Sequence, residues 1–161
     1  MRASAIVLAA ALAAALLVGA VRGFAQDATP SPCCAPQTLT LVEHASGEIV
    51  TDLGAPGASA GDLVAWGPNP LFDAADRADT GAVTRGSCQV LGANGDRLCI
   101  EEIVFSDGST LEIQGLEPTS GARSTRTIVG GSGRYLHASG TQVVTASTDR
   151  TRWVKTLEIW T

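Results

Sequence analysis

Between Gly61 and Tyr135 short apolar runs alternate with clusters of Gly, Asn, Asp and Pro. That alternation leaves little room for anything but an antiparallel β-protein assembled from hairpins. The clearest piece is the pair of strand-like runs Gln89–Leu91 and Leu98–Phe105. Asn94-Gly95 lies between them and can take the positive φ angles a hairpin turn demands. Ser106-Asp107-Gly108 supplies the next turn and Thr110–Gln114 the next strand. No amphipathic helix pattern follows the first 25 residues, so an all-β domain is expected.

Residues 1–25 read as a secretory signal. Arg2 supplies the charged start, Ile6–Val18 is a continuous apolar run, and Gly23-Phe24-Ala25 places small residues where signal peptidase inspects the chain. The alternative is an uncleaved anchor, but Ile6–Val21 is short against the roughly 20 apolar residues a span requires. A secreted or extracytoplasmic protein with no stable membrane span after cleavage is expected. Residues 26–37 form a Pro/Ser/Thr linker, too rich in proline for a strand. The domain proper is then 38–161. Losing Arg2 and Arg22 with the leader takes the formal charge from −5 to −7. With no basic cluster left, nucleic acid is not an expected partner.

An exported setting permits disulfides, and four cysteines allow three pairings. Cys33 and Cys34 are neighbours, and bonding them to each other would be strained. For Cys88 and Cys99 the turn decides. A two-residue Asn94-Gly95 turn puts Cys88 opposite Glu101. A four-residue loop, Gly92–Gly95, puts it opposite Cys99, at about 4.5–5.5 Å between Cα atoms and within disulfide reach. The four-residue loop is the favoured arrangement, with two free buried thiols as its alternative.

Thr38–His44 reads as the first strand. Side chains alternate along a strand, so Leu39, Leu41 and Glu43 share a face. If that face lines an interior, Glu43 is a carboxylate in largely apolar surroundings, able to act as a base or an electrostatic guide; otherwise it is a rim residue. Glu48–Ala60 reads as a loop-rich connection and Gly61–Trp66 as the second strand, ended by a bend at Gly67-Pro68-Asn69-Pro70. Asn69, restricted between two prolines, is either a plain turn residue or an amide pinned to hold water or ligand. Of Glu101 and Glu102 at most one can point inward, because neighbours on a strand face opposite ways; Cys99, Glu101, Ile103 and Phe105 share a face. Glu117–Arg126 reads as a polar loop. Trp153–Trp160 is the last strand, with Lys155 breaking its alternation.

The remaining chemistry-bearing groups do not form known sites. Asp73, Asp76 and Asp79 lack the spacing and central glycine of a calcium loop. His44 and His137 have no Cys or carboxylate at zinc-ligand spacing. Gly130-Gly131-Ser132-Gly133 is followed by Arg134-Tyr135 and a strand rather than by a helix and Lys, so it is no phosphate loop. No metal and no cofactor are expected, and no Ser-His-Asp nucleophile elbow is present.

Three blocks carry a family resemblance. GDLVAWGPNPLFD resembles the GDlVpFtNkLyd segment of plant allene oxide cyclases. GSCQVLGANGDRLCIEEIVFSDGSTLEIQG resembles the hairpins that follow it there. IVGGSGRYLHASGT looks like the TGGsGiFeGvyG signature those enzymes share, loosely, with dirigent proteins. Order and spacing agree over roughly residues 38–160. The resemblance implies a closed antiparallel β-barrel of about eight strands around an apolar cavity, a form that can hold one small ligand. It implies an unstable substrate whose cyclisation the barrel steers by shape and electrostatics. Glu43 matches the family's first-strand glutamate, Asn69 its asparagine and Cys88 its cysteine. The cavity walls would then include Leu41, Trp66, Ile103 and Phe105. Related barrels are often trimers, in which Val154 and Trp160 would be buried between subunits. Three functions stay open at this point: binding of a small apolar molecule without chemistry, a cyclase or isomerase, and a dirigent-like barrel that orients radical coupling.

Overall fold

The structure, a computed structural model, describes residues 35–161; the leader, most of the linker, Cys33 and Cys34 lie outside the described residues. Nine antiparallel strands follow one another: β1 (Gln37–His44), β2 (Glu48–Thr51), β3 (Leu63–Phe72), β4 (Asp79–Val90), β5 (Arg97–Val104), β6 (Thr110–Glu117), β7 (Ser124–Ser132), β8 (Ser139–Ala146) and β9 (Arg152–Trp160). A 3-10 turn, Gly133–Tyr135, joins β7 to β8. From β3 to β9 each strand pairs with the next, and β9 pairs with β1. Two residue pairs between β1 and β3, Val42–Phe72 and Glu43–Leu71, close the ring. The fold is therefore a closed eight-stranded antiparallel barrel, with β2 continuing β1 in the same register along the edge of β3. Among the described residues no helix is long and apolar enough to cross a membrane.

The central hairpin shows how the chain sets its register. The Leu91 amide donates to the Asp96 carbonyl at 2.8 Å, which leaves residues 92–95 as a four-residue loop. Cys88 then lies opposite Cys99, and a disulfide joins them. Gly95 has φ +76°, a value that a residue with a Cβ adopts only at a cost.

Three segments differ from the sequence reading. Glu48–Thr51 is a strand: its exposed Ile49 and Val50 pair with Ala65 and Val64. Gly67-Pro68-Asn69-Pro70 does not end β3. It forms a bulge between Trp66 and Asn69 within one continuous strand, with a cis Gly67–Pro68 peptide and Gly67 at φ +82°. The bulge absorbs Pro68, which a regular ladder excludes, and Pro70 is already back in register opposite Val83. The polar loop after β6 ends earlier than expected, so Arg126 lies on β7 rather than before it. Polar residues hide that strand because only alternate positions face inward.

The interior has two halves. Toward the β5–β6 turn it is apolar, with Leu71, Ile103, Leu111, Ile113, Ile128, Leu157 and Ile159 fully buried and Phe105 and Tyr135 at the end. Toward the β4–β5 loop the buried set is Glu43, Asn69, Thr84, Glu101, Arg126, Gln142 and Lys155, beside a small cluster of Val64, Trp66 and the disulfide. Val154 and Trp160 point outward and are about two-fifths exposed, 43% and 41%.

Candidate functional site

The charged half opens into a cavity of about 380 Å³. Its walls include Glu43, Trp66, Asn69, Cys88, Val144, Trp153 and Lys155, with Arg97, Glu117, Arg126 and Arg150 around them. Glycines make the room. A Cβ at Gly86 would strike the Trp66 ring at 2.5 Å, and one at Gly115 would strike Arg126 at 2.8 Å. The Trp66 indole and the backbone and first side-chain carbons of Arg126 can lie this close to the neighbouring strand only because these two positions carry no side chain.

Lys155 is the hub. Its ammonium sits 2.8 Å from Glu43 Oε2 and 2.5 Å from Glu101 Oε1. Arg126 carries the network onward, with Nη1 3.0 Å from Glu101 Oε2 and Nη2 2.6 Å from Glu117 Oε2. Glu101 also accepts from the Thr84 hydroxyl at 2.9 Å and from the Gln142 amide at 3.3 Å. Asn69 donates to Glu43 Oε1 at 2.6 Å, and its own carbonyl accepts from the Ser46 hydroxyl at 2.7 Å and the Ser46 amide at 3.2 Å. The Asn69 amide is thus held at both ends, and both Glu43 oxygens are engaged.

Burial pushes the Glu101 carboxyl up, but the Lys155 charge and then the Arg126 charge outweigh it and hold the group below its ordinary range. Burial pulls Lys155 down, yet Glu101 and then Glu43 raise it above the ordinary lysine value. Both groups are therefore ionised at neutral pH. Lys155 is an ammonium donor, not a neutral amine nucleophile.

The structure brings together Glu43, Asn69, Trp66 and Cys88 at one cavity. It does not bring Leu41, Ile103 or Phe105 there. Leu41 and Phe105 line a second hollow of about 300 Å³ at the opposite mouth, and Ile103 is packed in the apolar core. Strand alternation tells which face a residue takes but not its height along the barrel, and height separates these residues from Glu43. The cavity around Glu43 is charged rather than largely apolar. Arg126 and Lys155 were missed as site residues. The available signal was opposite charges at inward positions of different strands: Glu43 on β1, Glu101 on β5 and Lys155 on β9.

Outside the cavity, His44 stacks on Phe72 with ring centroids 3.8 Å apart, pairs with Asp76, and so clips the short β1–β3 seam. The sulfurs of Cys88 and Cys99 lie near Glu117, but they are bonded to each other and form no thiolate metal set.

The structural class is a closed eight-stranded barrel with an apolar half and a charged half, each with a hollow at its mouth. Solved structures share this fold. A pyocyanin demethylase matches with a TM-score of 0.66 and 23% identity, covering 76% of this chain and 99% of its own. A pterocarpan synthase dirigent protein matches with a TM-score of 0.64 and 16% identity, covering 79% and 85%. A Diels-Alderase from Streptomyces koyangensis matches with a TM-score of 0.59 and 15% identity, covering 78% and 68%. No protein-family profile and no curated protein matches the sequence. These neighbours share the closed eight-stranded barrel fold that the resemblance implies.

Proposed function

We propose that this protein is a small-molecule barrel that steers a cyclisation or coupling in its charged cavity. The observation that carries this reading is the placement of Lys155. Its ammonium lies in the cavity wall, two of its protons are engaged by Glu43 and Glu101, and the third has no acceptor among the described residues. A donor fixed in this way needs no reorganisation when negative charge develops on a substrate oxygen. Trp66 and Trp153 would hold the body of the substrate against that donor, so that its reacting ends meet. Glu43 and Asn69 then act as positioning residues for the ammonium. Four buried charges also stabilise a barrel less well than apolar packing of the same volume, which favours a functional role for them. Dirigent and Diels-Alderase barrels among the fold neighbours support the same class of action.

Native mass spectrometry of protein purified from its own host tests this through the molecule that copurifies. With that molecule, Lys155→Met should cut turnover far more than binding. If no small molecule copurifies and none added quenches Trp66 and Trp153 fluorescence, the proposal fails.

One observation favours a second reading, binding without chemistry: both oxygens of Glu43 are already engaged, which leaves no free base. In that case Glu43→Gln leaves affinity within a few-fold and no turnover is found. Under either reading the leader makes the barrel an exported protein, and N-terminal sequencing of the mature form should start near Gln26.

A further inference from the structure

We propose that Arg150 reads an anionic group on the ligand, so that the cavity takes organic anions with an apolar body, held with the charged end at the mouth. The inference rests on the cavity being a ligand site.

Four cations line the cavity: Arg97, Arg126, Arg150 and Lys155. Three of them are committed to carboxylates. Lys155 is held by Glu43 and Glu101, Arg126 by Glu101 and Glu117, and Arg97 by both oxygens of Glu48, at 2.8 and 3.2 Å. Arg150 has no carboxylate partner among the described residues. It donates to the Thr119 carbonyl, which ties the β8–β9 turn to the β6–β7 loop at the rim. A guanidinium has five N–H groups, so most of its donor capacity is unspent. The neighbouring Asp149 forms no ion pair with it and is turned to its own loop, where Oδ1 takes the Ser147 hydroxyl at 2.6 Å and the Thr151 amide and hydroxyl at 3.1 and 2.9 Å.

The backbone supports the same conclusion. Arg150 has φ +57°, in the left-handed region where glycine or asparagine serves best. An arginine there costs the turn more than either of those residues would. A second donor is also open: Arg126 Nε is buried and has no acceptor among the described residues.

Charge balance sets the orientation. Lys155 keeps one open proton for a neutral substrate oxygen, but below the rim the four carboxylates Glu43, Glu48, Glu101 and Glu117 outnumber Lys155, Arg126 and Arg97, so the deeper network has no net positive charge to offer a full anion. The rim does. An anionic ligand should therefore sit with its charge at Arg150 and its apolar end inward, beside Trp66 and Trp153.

The test uses two probes with the same ring system, 8-anilinonaphthalene-1-sulfonate and the neutral N-phenyl-1-naphthylamine. Each is titrated against the full mature chain, with probe emission and tryptophan quenching as readouts. The unsubstituted protein should bind the sulfonate more tightly. Arg150→Asn, which suits the turn, should weaken the sulfonate by about fivefold and leave the neutral probe unchanged. Arg150→Lys should restore part of the loss. Arg123→Gln, an exposed charge in the adjacent loop, should change neither. Equal loss from Arg123→Gln, or an intact sulfonate preference in Arg150→Asn, overturns the inference. If both probes bind without regard to charge, the cavity remains a ligand site and only the role of Arg150 falls. If neither probe binds, the ligand-site reading falls, and this inference with it.

Discussion

In the half of the barrel that ends at Phe105 and Tyr135, the buried cluster is built of apolar side chains, among them Leu71, Ile103, Leu111, Ile113, Ile128, Leu157 and Ile159. In the half that ends at Trp66 and Trp153, the inward positions carry two carboxylates, an ammonium and a guanidinium, all within 5% of full burial. The strands are the same in both halves. β5 contributes Glu101 to one and Ile103 to the other, and β9 contributes Lys155 to one and Leu157 to the other. Two residues along a strand thus separate the layer that holds the fold from the layer that costs it stability. The apolar layer gains from each group removed from water. The charged layer keeps only the surplus of pairing over desolvation, and that surplus exists only while the pairs are complete.

The largest expected effect comes from leaving the charged layer incomplete. Lys155→Met removes the cation shared by Glu43 and Glu101 and should cost about 3–5 kcal/mol in urea unfolding. Replacing the four together (Glu43→Leu, Glu101→Leu, Arg126→Met and Lys155→Met) should recover part of that loss, the remainder being held back because Asn69, Thr84 and Gln142 lose their carboxylate acceptors and Glu117 loses Arg126, while probe binding in the cavity is lost. If the fourfold replacement is no more stable than Lys155→Met alone, the charged layer is holding the fold and the contrast between the halves collapses.

Next come single changes that sharpen the contrast. Leu111→Ala, fully buried in the apolar layer, should cost about 2–5 kcal/mol with probe binding unchanged. Replacing Cys88 and Cys99 together by Ala opens a loop of about 12 residues and should cost roughly 3 kcal/mol. Since Cys88 also lines the cavity, probe affinity should shift as well. Non-reducing peptide mapping that recovers both thiols alkylated would overturn the disulfide.

The two halves also differ in legibility. Strand alternation was enough to put Leu39, Leu41 and Glu43 on one face, and turn arithmetic was enough to set Cys88 opposite Cys99. Both depend on local geometry, which the chain carries residue by residue. Arg126 and Lys155 were hidden because an inward charge looks, in sequence, like a surface residue. The β-strand at Ser124–Ser132 therefore read in part as a polar loop, and β9 read as broken at Lys155. The bulge at Gly67-Pro68 hid the length of β3 for a similar reason: two prolines signal an end unless a partner strand holds the chain across them. The depth of Ile103 and Phe105 was not legible at all, because depth depends on how strands stagger around a closed ring.

The pH response should carry a contribution from the charged layer, beside that of surface carboxylates such as Asp149 whose pKa is also lowered. Glu101 has a lowered folded value, so its contribution is present above the unfolded carboxylate range and is lost as pH falls through that lowered value. Lys155 has a raised folded value, so its contribution is present below the ordinary lysine range and is lost as pH rises through that raised value. Stability should therefore be level between roughly pH 5 and 10 and decline on both sides. In the fourfold apolar replacement both of these declines should shrink, and equal slopes in the two proteins would show that other groups set the response.

The smallest effect expected is that of Glu43→Gln, and its cause can be isolated. The introduced amide can still offer its carbonyl to Lys155, which also keeps Glu101. Its NH₂ then faces the NH₂ of Asn69, which now donates to Glu43 at 2.6 Å. Asn69 cannot turn over to relieve this, because its carbonyl is needed by the Ser46 amide and hydroxyl. One buried donor is left unpaired, a loss of about 1–3 kcal/mol. Adding Asn69→Asp should recover most of that loss: one carboxylate oxygen accepts from the new amide and the other still accepts from Ser46, so the negative charge has moved from position 43 to its hydrogen-bond partner at position 69. Recovery measured by a double-mutant cycle would show that the locked Asn69 amide, and not the position of the charge, sets the geometry under Lys155. If the double variant is less stable than Glu43→Gln alone, the carboxylate must stand at position 43 itself, and the pairing of Asn69 with Glu43 is secondary to that of Lys155 with Glu43.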